Sequence, residues 1–254
     1  LRLMLVSLVL AMATLLSLLL LTERLHNSIS RSVKELIAAD ARLESSLPLD
    51  ADVQTRLAGL AERTSQVVEF QSMIYLRNGE EGQIAQVKAV QAGYPFYGQV
   101  LDTAATPLGG QPQVGQVWIN QRLAQRLNCQ VGDFVEIGET QLRITAVFSS
   151  EPDNPQAAFA LSSRLIMHFD DVARTQSIGP GARVNYAYLL LLKPDTLPVV
   201  QKTLQPMLNA HTRLVTPANY RSTSQEFIER INTYLILAAA LGILLSGIAL
   251  AIAA

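Results

Sequence analysis

Two uncharged apolar runs constrain this chain most: the 19 residues Leu3–Leu21 and the 24 residues Ile231–Ala254. Either is long enough to cross the roughly 30 Å hydrocarbon layer of a bilayer, which takes about 20 helical residues. All 20 Lys and Arg and all 21 Asp and Glu fall outside them. The low overall charge content of 16% therefore reflects an ordinarily charged body bracketed by two membrane segments. A fully soluble chain, a disordered chain and a many-helix bundle are excluded. The first run exceeds the apolar core of a signal peptide, about 7–15 residues. Thr22-Glu23-Arg24-Leu25 after it offers no small-residue cleavage site, so it reads as a retained anchor. In the second run Ala238, Gly242 and Ser246 recur every four residues. Such a small-residue face lets another membrane helix approach closely, although small residues are also common in membrane helices at large. The chain starts on Leu1 and stops inside the second run, and reads as a piece of a longer protein.

The net charge is −1 with acids and bases interleaved. No basic stripe is present to follow a phosphate backbone, so nucleic acid is not an expected partner. One cysteine, Cys129, permits no internal disulfide, and the body must hold itself together by its core.

After the first run, Leu25, Ile29, Val33, Leu36 and Ile37 repeat at helical spacing, with Glu23, Arg24, Arg31, Lys34 and Glu35 on the wet side. Before the second, Thr223 and Glu226 form a capping box and Glu226–Arg230 an i,i+4 pair, and Phe227, Ile228 and Ile231 lead into the apolar run. These predict two helical stalks, 23–39 and 218–230, joining the body to spans 1–22 and 231–254. Between them the pattern is mixed. Strands are predicted at Ala41–Ser46, Val67–Leu76, Ile84–Val90, Val184–Lys193 and Thr212–Val215, and helices at Ala51–Thr64 and Thr196–Leu208. Strand–helix–strand occurring twice predicts a split βαβ, ferredoxin-like porter unit in an α+β extracytoplasmic domain. Its halves would be 40–92 and 182–217, with a β-rich subdomain inserted at 93–181.

Inside the insertion, Val117-Trp118-Ile119 leads into a short helix bearing Leu123, Ala124 and Leu127. Val131-Gly132-Asp133 follows, then a hairpin turning at Gly138-Glu139, where glycine first suits a type II′ turn. Gly132 is expected to supply a backbone angle other residues resist, and Asp133 to accept a turn hydrogen bond. Both are structural assignments. Chemistry-bearing motifs are missing: no phosphate-binding G-x-x-x-x-G-K-[ST], no G-x-S-x-G, and no metal spacing among His26, His168 and His211. Each histidine reads as a surface or capping residue. Asp170-Asp171 reads as a pair of solvated carboxylates at a helix end. No catalytic residue, cofactor site or metal site is expected.

The order of span, stalk, α/β body, stalk and span, with the Leu123–Leu127 helix, the Val131-Gly132-Asp133 turn and the hairpin after it, resembles the MacB/FtsX-like permease family of ABC transporters. Within it the chain resembles the YbbP-type permeases through Val87-Lys88-Ala89-Val90, Tyr94-Pro95-Phe96-Tyr97-Gly98, Glu151-Pro152-Asp153 and Gly179–Val184. The resemblance implies a body in the periplasm, more membrane helices of the same protein, a separate cytoplasmic ATPase, and work on lipids or hydrophobic compounds at the inner membrane. An acceptor such as a periplasmic esterase is a further implied partner. The local bases (Arg2 before the first run; Arg24, Arg31 and Lys34 after it) point the other way, but long domains translocate largely regardless of such counts. On this view Leu25, Ile29, Val33, Leu36, Phe227 and Ile231 form a coupling seam. A sensor with an extracytoplasmic ligand domain between two spans is the alternative. The Val131-Gly132-Asp133 hairpin within a split α/β body disfavours it.

Overall fold

The computed structural model describes residues 33–77, 79, 81–153, 162–179, 181–208, 211–220, 233–234 and 237. Apart from Thr233, Tyr234 and Leu237, both apolar runs lie outside these, as do most of the stalk segments. Among the described residues no helix is long and apolar enough to cross a membrane. Residues 33–218 form one compact unit.

That unit opens on a helical turn at residues 33–37, α1. It continues with β1 (Ala41–Ser45), α2 (Ala51–Leu60), β2 (Arg63–Leu76) and β3 (Gly82–Val90). Next come β4 (Leu101–Asp102), β5 (Gln116–Asn120), α3 (Gln121–Leu127), β6 (Phe134–Ile137) and β7 (Thr140–Ser150). The chain then runs through β8 (Arg164–His168), α4 (Val172–Thr175), β9 (Val184–Leu191), α5 (Leu197–Leu204) and β10 (Thr212–Val215).

Strands β10-β1-β9-β2 lie side by side, each pair antiparallel. In chain order that is 4-1-3-2, with α2 and α5 as the two crossovers, which is the split βαβ arrangement. Strand β9 is buried on both faces. Ala187 and Leu189 enter one core cluster with Val67, Trp118 and Phe148, while Tyr188 and Leu190 enter another with Leu57, Val200 and Leu204 beneath the two helices. Two-sided burial is why its sequence reads as a near-continuous apolar run rather than an alternating one. Helix α2 is shorter than the predicted Ala51–Thr64. It ends at Leu60, because Arg63 and Thr64 are already paired with Leu191 and Leu190 in the sheet.

The inserted segment is not a separate sheet. Strand β2 continues past β9 and pairs with β3 and, at its far end, with β6. The pairings β2-β3-β8-β5-β7-β6 return to β2 and close a ring of six strands, in which β3–β8 and β5–β7 are parallel. Side chains fill its interior: Ile74, Val87, Ile119, Val135, Leu142, Ile144 and Leu165 are all fully buried in one cluster, with Leu123 of α3. Strand β7 alternates inward and outward from Thr140 to Phe148, the period of a strand with one face in a core. Helix α3 is bounded by its own sequence. The Asn120 side chain accepts from the Leu123 amide at 3.0 Å, and Asn128 ends the helix in the left-handed region at φ +49°.

Gly132 has φ +105°, and a Cβ there would meet no atom within 4 Å. Asp133 Oδ2 accepts from the Gln130 amide at 2.8 Å. Gly132→Val should therefore cost about 1–3 kcal/mol through backbone strain alone. Asp133→Asn should cost less, since its amide oxygen accepts the same bond. Urea midpoints of the purified variants measure both, and an unshifted Gly132→Val midpoint would remove this explanation.

Candidate functional site

Lys88 stands in the apolar run Val87–Val90 of β3, and all four residues are buried. An ammonium in such a place must be matched or neutralised. It is matched. Its Nζ donates to Glu151 Oε2 at 2.7 Å, to Asp153 Oδ1 at 2.7 Å and to Tyr94 Oη at 3.3 Å, with Glu69, its register partner on β2, at 3.5 Å. Tyr94 Oη donates to Asp153 Oδ1 at 2.6 Å. Arg42 on β1 pairs with Asp153 at 3.1 Å and reaches Glu44 at 3.3 Å and Glu69 at 3.8 Å, and Arg164 at the start of β8 pairs with Glu151. Side chains from β1, β2, β3, β8, the 93–98 loop and the residues just after β7 thus meet in one cluster of three cations and four carboxylates, centred on the buried Lys88 and Asp153.

Burial alone would lower the Lys88 pKa, but Asp153 and Glu151 outweigh it and hold the ammonium well above its usual range. Arg42 is likewise raised: burial opposes, and Asp153, Glu69 and Glu44 prevail. Burial works to raise Asp153, while Lys88 and Arg42 hold its carboxyl well below the usual carboxylate range. Tyr94 is pushed well up by burial and by Asp153, and stays a neutral donor.

A second cluster sits where α1 meets β1. Ala38 follows the turn at φ +56°. Asp40 Oδ1 accepts from Lys34 Nζ at 2.7 Å and from Tyr97 Oη at 3.0 Å, and its Oδ2 accepts from the Leu192 amide at 2.9 Å. The Lys34 ammonium lies 5.3 Å from the Tyr97 ring centre. Its pKa is raised chiefly by the Asp40 hydrogen bond. The Phe96 amide donates to Ala38 O at 3.0 Å. Residues 93–98 therefore join both clusters, Tyr94 binding Asp153 and Tyr97 binding Asp40. Gly98, at φ +80°, lets this loop rest on Pro152 where a Cβ would collide.

Of the residues singled out from sequence, Val33 is buried, Leu36 is half-buried, and Gly132 and Asp133 form the turn already described. Leu25, Ile29, Phe227 and Ile231, and the small-residue face Ala238, Gly242 and Ser246, lie outside the described residues. Asp171 is not a solvated carboxylate. It does stand at a helix end, just before α4, but it is fully buried, accepts from the Gly115 amide at 2.7 Å and pairs with Arg174 at 2.8 Å, because the short 3-10 turn between β8 and α4 carries it inward. His168 Nδ1 accepts from the Asp170 amide at 3.1 Å, a capping role. In the sequence Lys88, Tyr94, Glu151 and Asp153 stand out only through the family resemblance, Arg42, Glu69, Arg164 and Asp40 carry no local signal, and the one sign of the cluster is a lysine inside an apolar strand.

The profile of the MacB-like periplasmic core domain matches residues 3–207. An ABC transporter permease of Escherichia coli (strain K12), YbbP, is 32% identical over 246 residues, covering 96% of this chain and 30% of the relative. The chain thus spans under a third of that protein's length. Among solved structures, the periplasmic region of MacB from Actinobacillus actinomycetemcomitans is 11% identical with a TM-score of 0.49, over 78% of this chain and 95% of that one. The extracellular domain of the noncanonic ABC-type transporter YknZ from Gram-positive bacteria is 11% identical with a TM-score of 0.43, over 69% and 100%. With the profile matched over most of its length, the chain belongs to the MacB-like periplasmic core domain family.

Proposed function

We propose that this chain is the extracytoplasmic part of an ABC transporter permease, facing the periplasm from the inner membrane. There it couples ATP hydrolysis by a separate cytoplasmic subunit to the handling of lipids or other hydrophobic compounds. Family membership over residues 3–207, joined to 32% identity with a relative named as an ABC transporter permease, carries this reading. Its partners are the ATPase, further membrane helices of the same protein packed on Ala238, Gly242 and Ser246, membrane lipid, and an acceptor such as a periplasmic esterase. The porter unit would comprise 40–92 and 182–217. The coupling seam would run along Leu25, Ile29, Val33 and Leu36 and their partners Phe227 and Ile231. Motion of the 33–37 turn would reach Asp40 first, then Tyr97 and Tyr94, and so the charge cluster. Tyr97 bonds Asp40 and Tyr94 of the same loop bonds Asp153, so one short loop links the two clusters.

Topology tests the reading. Thr103, at an exposed turn after β4, should as Thr103→Cys in a Cys129→Ser background react with a membrane-impermeant maleimide in intact spheroplasts. Cys129 itself is buried, its thiol pushed up to about 11 by burial and then by Asp133. Labelling only after lysis would put the body in the cytoplasm and overturn the proposal.

A further inference from the structure

We propose that the cavity beside the 93–98 loop binds a single-chain amphiphile with an anionic headgroup, the headgroup on Arg63 and the tail along an apolar wall. The cavity holds about 440 Å³, within the roughly 300–1,000 Å³ of small-molecule sites. It opens where Arg63, the first residue of β2, pairs with Leu191, the last of β9. Pro95, Phe96, Val100, Pro107, Leu108 and Leu191 are the aliphatic and phenyl side chains among those lining it, and Arg63 is the one charged residue. The other cations near the loop are matched: Lys34 by Asp40, Lys88 and Arg42 by Asp153, and Arg164 by Glu151. Arg63 has no ion-pair partner among the described residues. Its guanidinium lies instead 5.4 Å from the Phe96 ring centre.

Local backbone fixes this placement. Gly93 has φ +98°, and a Cβ there would come within 3.2 Å of Arg63 Nη2 and 3.0 Å of the Phe96 ring. The glycine thus leaves room for the guanidinium and the ring to stack beside the loop. A single water-exposed guanidinium holds a small anion weakly, because competing water and salt screen it. An alkyl tail adds burial of apolar surface, which is non-directional and grows with chain length. A cationic headgroup would meet Arg63 with like charge. The chemistry selected is therefore an anion attached to an alkyl chain, not either part alone.

The inference gives the hydrophobic cargo of the proposed transporter a subsite and rests on that reading for its meaning. Binding is measured without reference to topology or ATP turnover, so the two can fail separately. Radiolabelled octyl phosphate would be equilibrated by dialysis with the chain in zwitterionic nanodiscs, and empty discs subtracted. Saturable binding at least 10-fold tighter than that of inorganic phosphate is expected, with no saturable binding of octyltrimethylammonium. Arg63→Gln should weaken octyl phosphate at least 10-fold without moving the thermal melt, and Arg63→Lys should retain most of the affinity. No saturable excess over empty discs, equal binding of inorganic and octyl phosphate, equal binding of the cation, or an undiminished Arg63→Gln would each overturn the proposal.

Discussion

Lys88→Met should destabilise the body by about 3–5 kcal/mol, because removing one partner of a buried ionic cluster leaves the others charged and unmatched. Glu151 would keep only Arg164, and Asp153 would keep Arg42 and the Tyr94 hydroxyl. The pH dependence follows from the two shifts. The Lys88 pKa is raised in the folded state, so its contribution is whole below about pH 10.4, its unfolded value, and is lost only as pH rises through the folded value. The Asp153 pKa is depressed, so its contribution is whole above about pH 3.9 and is lost as pH falls towards the folded value. The wild-type cluster should thus be indifferent to pH between about 5 and 9. In Lys88→Met, Asp153 loses its nearest cation, and burial draws its carboxyl upward. The gap between variant and wild type should then narrow at acid pH, where Asp153 takes up a proton more readily than in the wild type. Adding Asp153→Asn to Lys88→Met should recover part of the loss, although Asp153→Asn alone destabilises. Urea midpoints across the double-mutant cycle give this coupling directly. Strictly additive losses would mean that these side chains do not act as one cluster.

Gly138→Ala should be nearly as damaging, at about 3 kcal/mol or more. Gly138 begins the β6–β7 turn at φ +53°, and a Cβ there would lie inside the van der Waals envelope of the Thr175 carbonyl oxygen and 2.7 Å from Ser177 Oγ. That carbonyl also accepts from the Glu139 amide at 3.0 Å. Backbone is in the way, so the hairpin must lift off the end of α4 rather than a side chain rotate aside. Gly132→Ala, where the space is open, incurs only the backbone term. If the two alanine variants melt together, close packing against Thr175 has no energetic weight.

Local sequence signals located most elements. The Thr212–Val215 strand has its predicted limits, and Leu123, Ala124 and Leu127 mark a real helix. Gly138 carries a positive φ while Glu139 does not, as a type II′ turn requires. What could not be read is pairing at long range. Nothing near Leu76 announces that Val135 lies beside it and closes a ring. The charge cluster was hidden for the same reason. Arg42 and Asp153 each look like an ordinary surface charge until strands far apart in sequence bring them together, and only Lys88, inside the apolar run Val87–Val90, carries a local sign. Asp171 misled by its neighbour, since Asp170 is exposed and the 3-10 turn sends the next side chain the opposite way.

The 4-1-3-2 strand order also governs how the chain can be made. Strand β1 bonds only to β9 and β10, whose first paired residues are Tyr186 and Thr212. At about 5–20 residues per second, a nascent β1 waits on the order of ten seconds before either neighbour exists. The six-stranded ring draws on β2, β3 and β5 through β8 and is complete in the nascent chain first. Folding should therefore proceed from the middle outward, with the ring formed while Ala41–Ser45 is still unpaired and Arg42 still lacks Asp153. Such an order gives a slow, high-contact-order final step. It also leaves a defined window in which a chaperone that shields β1 raises the yield of native protein.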